Sequence, residues 1–399
     1  MDLTPLAIRD ATTKILLVVM DGLGGYADAE HDTELEEALT PHLDALAAEG
    51  ITGLVEPVGP GITPGSGPGH LALFGYDPEE FELGRGALSA AGLEFDLKPG
   101  DVAARGNFAT IAPDGTIIDR RAARIPDPEA SVIVERLQRE VKLGDGVEVF
   151  FVPEREHRVL VVLRGEGLDP RITDTDPQRI GVHPLVSMAA EPSADRTAEL
   201  INELSNQVRD LLSGGSKANA LLLRGSDSLR EMPSFDDRYG LRAAAIAIYP
   251  MYRGIARILG MDVLARTKDL AEQIAVAREA WDRYDYFFLH HKYTDSAGED
   301  GDRRRKIAAI EDLDHVVPEL RSLNPDVIVI SGDHATPTQM AAHSWHPVPT
   351  LLWSTKGQRD EVDRFGERWC ARGALGTRPT KTLMPVMLAH AGRLRKYGA

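Results

Sequence analysis

Six consecutive apolar residues, Ile15 to Met20, stop abruptly at Asp21, and the same pattern returns late in the chain. Val327-Ile328-Val329-Ile330 leads through Ser331-Gly332 to Asp333-His334. Tyr286-Phe287-Phe288-Leu289 leads through His290-His291-Lys292-Tyr293 to Asp295. Runs this short, with no polar alternation, read as strands of a parallel sheet buried on both faces. Helical spacing appears between them. Thr40-Pro41 supplies an N-cap and a first-turn proline for a helix over 41–49, and a strand follows over 53–57. Further helices are predicted over 269–281 and 303–320. The stretch 59–70 holds so many glycines and prolines that it predicts an irregular loop around Ser66, with apolar patterning resuming over 71–76.

From about residue 101 the pattern changes. Strand-like pieces over 103–111, 116–118, 147–152, 158–163 and 218–223 surround helical stretches over 130–141 and about 196–212. This predicts an α/β core, with a mostly parallel sheet flanked by helices, built from residues 1–100 and 262–399. An α+β domain over 101–261 interrupts it.

Composition narrows the function classes. The 399 residues carry a net charge of −17, which argues against a nucleic-acid partner because backbone phosphates demand basic surface. Local arginines can still hold one phosphate on a small molecule. Mean hydropathy is −0.22 and no run approaches the roughly 18 apolar residues of a membrane span. Asp2 stands where a secretory leader would be basic, and the one cysteine, Cys370, can form neither an intrachain disulfide nor a thiolate cage. A cytoplasmic enzyme, monomeric or homo-oligomeric, is the expectation.

The strand ends carry the chemistry. Asp333 and His334, adjacent after a buried strand, can both reach one cation; an aspartate cap beside an incidental histidine is the plainer use. Asp295 and Glu299, four apart, share one face of a helical turn and can chelate an ion. They could also belong to a solvated acidic loop. Asp21, His343 and the glycine-flanked Ser66 each have similar plain uses alone. Together, hard carboxylate oxygens and imidazoles suit Mn²⁺, Mg²⁺ or Zn²⁺.

The ordered motifs Val19-Met20-Asp21-Gly22, Thr63-Pro64-Gly65-Ser66, Thr294-Asp295 through Asp302, Ser331-Gly332-Asp333-His334 and His343-Ser344 through Pro349 resemble the alkaline phosphatase superfamily. More narrowly the chain resembles the archaeal-type 2,3-bisphosphoglycerate-independent phosphoglycerate mutases. Gly84-Arg85-Gly86-Ala87, Arg105-Gly106-Asn107-Phe108-Ala109-Thr110, Glu156-His157-Arg158, Leu223-Arg224-Gly225 and Arg253-Gly254-Ile255 extend that likeness over nearly the whole chain. The resemblance implies a phosphatase-like core with an inserted phosphotransferase domain. It implies an isomerase that interconverts 3-phosphoglycerate and 2-phosphoglycerate through a phosphoserine at Ser66. Asp21, Ser66, Asp333 and His334 would hold one divalent ion and Asp295, Glu299 and His343 the other. Mn²⁺ is the expected ion, with Mg²⁺, Co²⁺ or Zn²⁺ as alternatives. Arg120, Arg121, Arg124, Arg158, Arg224, Arg253 and Lys292 are the expected substrate clamps.

The chain departs from that pattern in three places. Glu299 stands where the family usually has histidine, Arg253 where lysine is more usual, and Trp345-His346 where smaller or acidic residues are usual. Two other readings stay open: a metal-dependent phosphomonoesterase on the same framework, and a non-catalytic phosphometabolite binder with its metal site crippled at position 299.

Overall fold

The computed structural model describes residues 3–81, 83–144, 146–214, 217–228 and 232–398. The chain folds as two compact units, Met1–Glu82 with Met232–Ala399, and Leu83–Glu231.

The first unit is built on an eight-stranded sheet. Its strand order is Gly376–Pro379, Ile51–Glu56, Val348–Ser354, Val327–Ser331, Ile15–Met20, Tyr286–His291, Ala243–Ala247 and Asp262–Val263. Only Val348–Ser354 runs against its neighbours. The three runs singled out by hydrophobicity lie side by side at the centre, parallel and in register, with Val19 level with Ser331 and Met20 level with His291. Every residue of these three strands is buried, because helices cover both faces and leave no solvent side for alternation. Short strands close both edges, which limits unpaired backbone. Helices Pro41–Glu49, Leu270–Ala280 and Arg303–Ser322 match the predicted spacing. Among the described residues no helix is long and apolar enough to cross a membrane.

The second unit is an antiparallel sheet around Val102–Ile111, which pairs with Arg158–Arg164 and Ala220–Asp227 along its length and with Ile117–Asp119 near its end. Glu148–Arg155 is the outer strand. Helices Asp127–Glu140 and Asp195–Leu211 cover one face, burying Ala104, Phe108, Val161, Leu137, Leu204 and Leu223 in one core. The other face, with Ala103, Leu160 and Val162, packs on Ala90 of helix Arg85–Gly92.

Two expectations need correction. The inserted unit spans 83–231 and not 101–261, because the unforeseen helix Arg85–Gly92 packs on its sheet while Ala243–Ala247 joins the large sheet beside Tyr286–His291. The glycine-rich stretch is also not wholly irregular. A helix, Ser66–Leu73, begins inside it with Gly65 as N-cap. Pro68 falls in its first turn, where no intrahelical N–H is required.

Candidate metal and phosphoryl-transfer site

Three parallel strands ending at one level deliver Asp21, Lys292 and Asp333 to the carboxyl edge of the sheet, where open α/β sheets place their chemistry. Asp21, Asp333 and His334 are fully buried, and their ligating atoms lie close enough together to hold one ion. His334 Nε2 is 3.4 Å from Asp21 Oδ1 and 3.2 Å from Asp333 Oδ2. Asp295, on the first turn of helix Tyr293–Glu299, forms a second group with His334 and His343. His343 Nε2 lies 3.5 Å from Asp295 Oδ1, and the two imidazole rings stack at 3.7 Å. Its Nδ1 is 3.0 Å from the Pro64 carbonyl. A carbonyl only accepts, so Nδ1 carries the hydrogen and Nε2 is left as the ligating atom.

Ser66 Oγ sits 3.1 Å from His334 Nε2, at the first residue of its helix. That helix is pressed onto the Asp333 loop. A Cβ at Gly69 would collide with the Asp333 carbonyl, so only glycine permits this approach. The first-turn amides next to Ser66 and the helix dipole favour an anion there.

Two buried histidines that sequence reasoning passed over orient the carboxylates. His290 Nε2 is 3.1 Å from Asp21 Oδ2. His70 Nδ1 is 3.2 Å from Asp333 Oδ2 and 2.9 Å from the Ser66 carbonyl. Burial pushes His290 down to about 4, so it stands neutral and donates. Its place in a strand-end His290-His291-Lys292 triplet was the available signal. Tyr252 was missed as well: its ring stacks on His290 at 3.8 Å and its hydroxyl accepts from Lys292 Nζ at 3.2 Å.

Lys292 was expected as a substrate clamp. Its ammonium lies among the ion-site carboxylates, 3.1 Å from Asp21 Oδ2 and hydrogen-bonded to Asp295 Oδ2. Burial alone would lower this lysine, but Asp21 and Asp295 outweigh it and hold it above its usual value. Asp21 answers in kind: burial opposes its ionisation, yet Lys292 and His290 hold it well below the carboxylate range. Asp21 Oδ1 and Asp333 Oδ2 remain buried without a well-aligned hydrogen bond, Asp333 Oδ2 meeting only the ion-pair contacts of His70 and His334. Such oxygens are costly unless a cation meets them, and with two imidazoles and Asp295 they form a donor set that fits divalent ions.

Glu299 stands apart. Its side chain is 57% exposed, and its Oε1 reaches His343 Nε2 only at 3.7 Å. Burial and then Asp295 raise its carboxyl above the ordinary value. Arg253 is buried in helix Pro250–Ile258, beside Tyr252.

The inserted unit gathers the remaining arginines. Arg120 makes a two-pronged contact with buried Asp176 at 2.9 and 2.6 Å. Arg224 lies level with Arg105 on the adjacent strand. Burial and then the charge of Arg85 lower Arg224. Burial lowers Arg105 too, with Arg158, Arg224 and Arg85 adding to it against Glu154. The Nε atoms of Arg105 and Arg224 are buried without hydrogen-bond partners. Arg85 and Arg105 were not among the expected clamps, although both lie in quoted motifs. Ala122, Ala123 and Arg124 take left-handed φ of 44°, 52° and 51°. Three such residues in a row are strained, and strain of this kind clusters at ligand sites. The Asp119 carboxylate holds the turn by accepting from Arg121 N and Ala123 N. Arg121, Arg124 and Arg158 all act on His157, which burial, then Arg158, push down to about 4.

That shift has a sign. Below the ordinary histidine value of about 6.5, the unfolded chain binds a proton that folded His157 refuses until about pH 4. Stability therefore falls as pH drops through that window. Between pH 7 and pH 4.5 the unfolding free energy from urea titrations should fall by on the order of 1–3 kcal/mol more for wild type than for His157→Gln. Equal slopes for the two proteins would count against a neutral buried imidazole.

Comparison with known proteins now decides the family. A Thermus thermophilus protein named a probable 2,3-bisphosphoglycerate-independent phosphoglycerate mutase is 48% identical over 100% of both chains. The chain belongs to the 2,3-bisphosphoglycerate-independent phosphoglycerate mutase family. The profile carrying that description matches residues 47–216. A Deinococcus radiodurans relative of the same name is also 48% identical, over 98% of this chain and 97% of its own. Among solved structures, a Pyrococcus horikoshii protein aligns with a TM-score of 0.82 at 30% identity, covering 98% of this chain and 100% of its own. The cofactor-independent phosphoglycerate mutase of Thermoplasma acidophilum aligns at 0.71, also 30% identical, covering 95% and 100%. These alignments run over nearly the whole chain, across both of its units.

Proposed function

We propose that this protein interconverts 3-phosphoglycerate and 2-phosphoglycerate without a bisphosphorylated primer, through a phosphoserine at Ser66 and with two divalent ions bound. The observation that carries this reading is Ser66 Oγ at a helix start, 3.1 Å from His334 Nε2 in a buried carboxylate–imidazole cluster. Asp21, Ser66, Asp333 and His334 would hold one ion, and Asp295, Glu299 and His343 the other, with His334 near enough to serve either group. Bound ions would lower the pKa of the serine hydroxyl and neutralise the equatorial phosphoryl oxygens.

The chain's own groups divide the remaining tasks. Ser66 Oγ forms the new P–O bond as the bond from phosphorus to O3 of the glycerate breaks. The reverse step then delivers the phosphoryl group to O2. Amides of the first turn after Gly65 donate to the phosphoryl oxygens. Arg120, Arg121, Arg124, Arg158, Arg224 and Arg253, joined by Arg85 and Arg105, supply the guanidinium chemistry that retains a carboxylate and two hydroxyls between the half-reactions. Lys292 sits where it neutralises Asp21 and Asp295, and it can turn to the phosphoryl group once ions take that duty. A plain phosphomonoesterase has no need to retain its leaving alcohol, so the arginine-rich insert favours the mutase. Such chemistry belongs in the cytoplasm.

The test is an enolase-coupled assay of metal-reconstituted protein with 3-phosphoglycerate and no 2,3-bisphosphoglycerate, run beside a free-phosphate assay. Isomerisation should dominate and EDTA should abolish it. Phosphate release far outrunning isomerisation would promote the phosphatase reading.

Glu299 should tune the metal. Two carboxylates and one imidazole favour harder ions over Zn²⁺. We expect Mn²⁺ to activate best, and Glu299→His to shift preference toward Zn²⁺ or Co²⁺ in a metal-replacement series. Full activity and full metal occupancy in Glu299→Ala would remove Glu299 from the ligand set.

A further inference from the structure

Thr336 lies buried two residues past His334, and nothing so far gives it a task. Its Oγ1 donates to Asp295 Oδ1 at 2.8 Å and lies 3.0 Å from His334 Nδ1. A hydroxyl has one hydrogen and an ionised carboxylate can only accept, so Thr336 must present a lone pair to His334. His334 Nδ1 then carries a hydrogen, and Nε2 keeps its lone pair toward Ser66 Oγ, Asp21 and Asp333. Imidazoles that ligate metals are held in this way through their other nitrogen.

The same hydroxyl therefore touches a member of each proposed ion group. We infer that Thr336 is a positioning residue that couples the two ion sites, fixing the tautomer of His334 and the aim of Asp295 through one hydroxyl. The inference rests on the two-ion reading above.

The surroundings hold this threonine on both sides. Its amide donates to the Gly24 carbonyl at 3.0 Å, in the loop that follows Asp21. Its carbonyl accepts from the fully buried Lys306 Nζ at 2.9 Å, and the same ammonium also donates to Gly24 O at 3.1 Å. A Cβ at Gly298, on the Asp295 helix, would collide with the Thr336 carbonyl, so that helix can approach only because residue 298 is glycine. The loops after Asp21 and His334 and the Asp295 helix thus converge on one residue. Rotation about χ1 of Thr336 would break both hydroxyl contacts together.

Valine keeps the shape of threonine and lacks the hydroxyl, whereas serine keeps the hydroxyl. The test titrates Mn²⁺ into the metal-stripped full-length protein, following free Mn²⁺ by electron paramagnetic resonance. Wild type should bind two ions. Thr336→Val should weaken both by roughly 10- to 100-fold, while Thr336→Ser stays near wild type. In steady state, Thr336→Val should lower kcat with little change in KM for 3-phosphoglycerate. Undiminished binding of two ions by Thr336→Val, or weakening of one alone, overturns the coupling while leaving the metal site standing. Wild type that binds no Mn²⁺ overturns the two-ion reading and this inference with it. ¹⁵N NMR of metal-stripped wild type gives a measurement free of any folding defect in the variants: Nδ1–H at His334 supports the inference, and Nε2–H overturns it.

Discussion

Ser66→Ala is expected to lose on the order of 10⁴- to 10⁶-fold in turnover, the scale seen when a catalytic nucleophile is removed. The variant should fold, because Ser66 offers its helix no capping bond: the N-cap is Gly65, which has no side chain to cap with. The Ser66 carbonyl, which His70 contacts at 2.9 Å, is unchanged by the substitution. Rapid quenching of wild type with 3-phosphoglycerate should yield a phosphoserine-66 peptide by mass spectrometry, and the variant should yield none. Asp21, Asp333 and His334 all remain in the variant, so it should still bind Mn²⁺, with one oxygen ligand fewer. Turnover within tenfold of wild type in the alanine protein would rule out a covalent serine route.

Lys306→Met should cost about 3–5 kcal/mol, the range for removing one partner of a buried ion pair. Lys306 and Glu34 are both fully buried, with Nζ 3.7 Å from Oε2. Burial works against the Glu34 carboxylate, and Lys306 with the Thr338 bonds outweighs it, holding Glu34 below its usual range. Glu34 Oε1 accepts from Thr338 N at 2.8 Å, so the charged carboxylate also ties down the chain beyond Thr336. Methionine fills the volume and leaves Glu34 Oε2 without its ammonium, with the Arg303 guanidinium, 3.6 Å from Oε1, as the cation still facing that carboxylate. It also leaves the Gly24 and Thr336 carbonyls without their lysine donor. Urea midpoints measured at neutral pH provide the check. The double variant Lys306→Met/Glu34→Gln should recover part of the loss, because the stranded charge is gone. A single-variant loss under about 1 kcal/mol would mean that the pair is stabilised by other neighbours.

Parts of the fold that depend on local pattern were readable. The helix over 41–49 was marked by Thr40-Pro41, although Thr40 makes no side-chain cap bond and the proline carries the signal. The central strands were legible because burial on both faces leaves an unbroken apolar run. Ala243–Ala247 was missed because four alanines around one isoleucine read equally well as helix, and only pairing with Tyr286–His291 decides the matter. Helix Arg85–Gly92 was missed because two glycines and a serine weaken the helical signal, and packing against the insert's sheet outweighs that. The helix at Ser66 hid in a glycine-rich stretch for a related reason. Gly69 is there for close approach to Asp333, and tertiary contact compensates for its poor helix propensity.

The sequence by itself determined the class of chemistry: carboxylates and imidazoles at the ends of buried runs, a glycine-flanked serine, and arginines in an interrupting domain. Side-chain type and strand-end position are local properties, and both survive in a one-dimensional reading. Only the tertiary structure decided how these groups share atoms. It put His334 in both ion groups, brought Lys292 in among the carboxylates, and left Glu299 at the exposed rim. It also supplied the orienting partners His70, His290 and Thr336, which carry no motif of their own. Their roles depend on which nitrogen or oxygen faces which, at separations near 3 Å between residues up to 269 positions apart. Sheet register and helix approach set those distances, and spacing along the chain does not encode them.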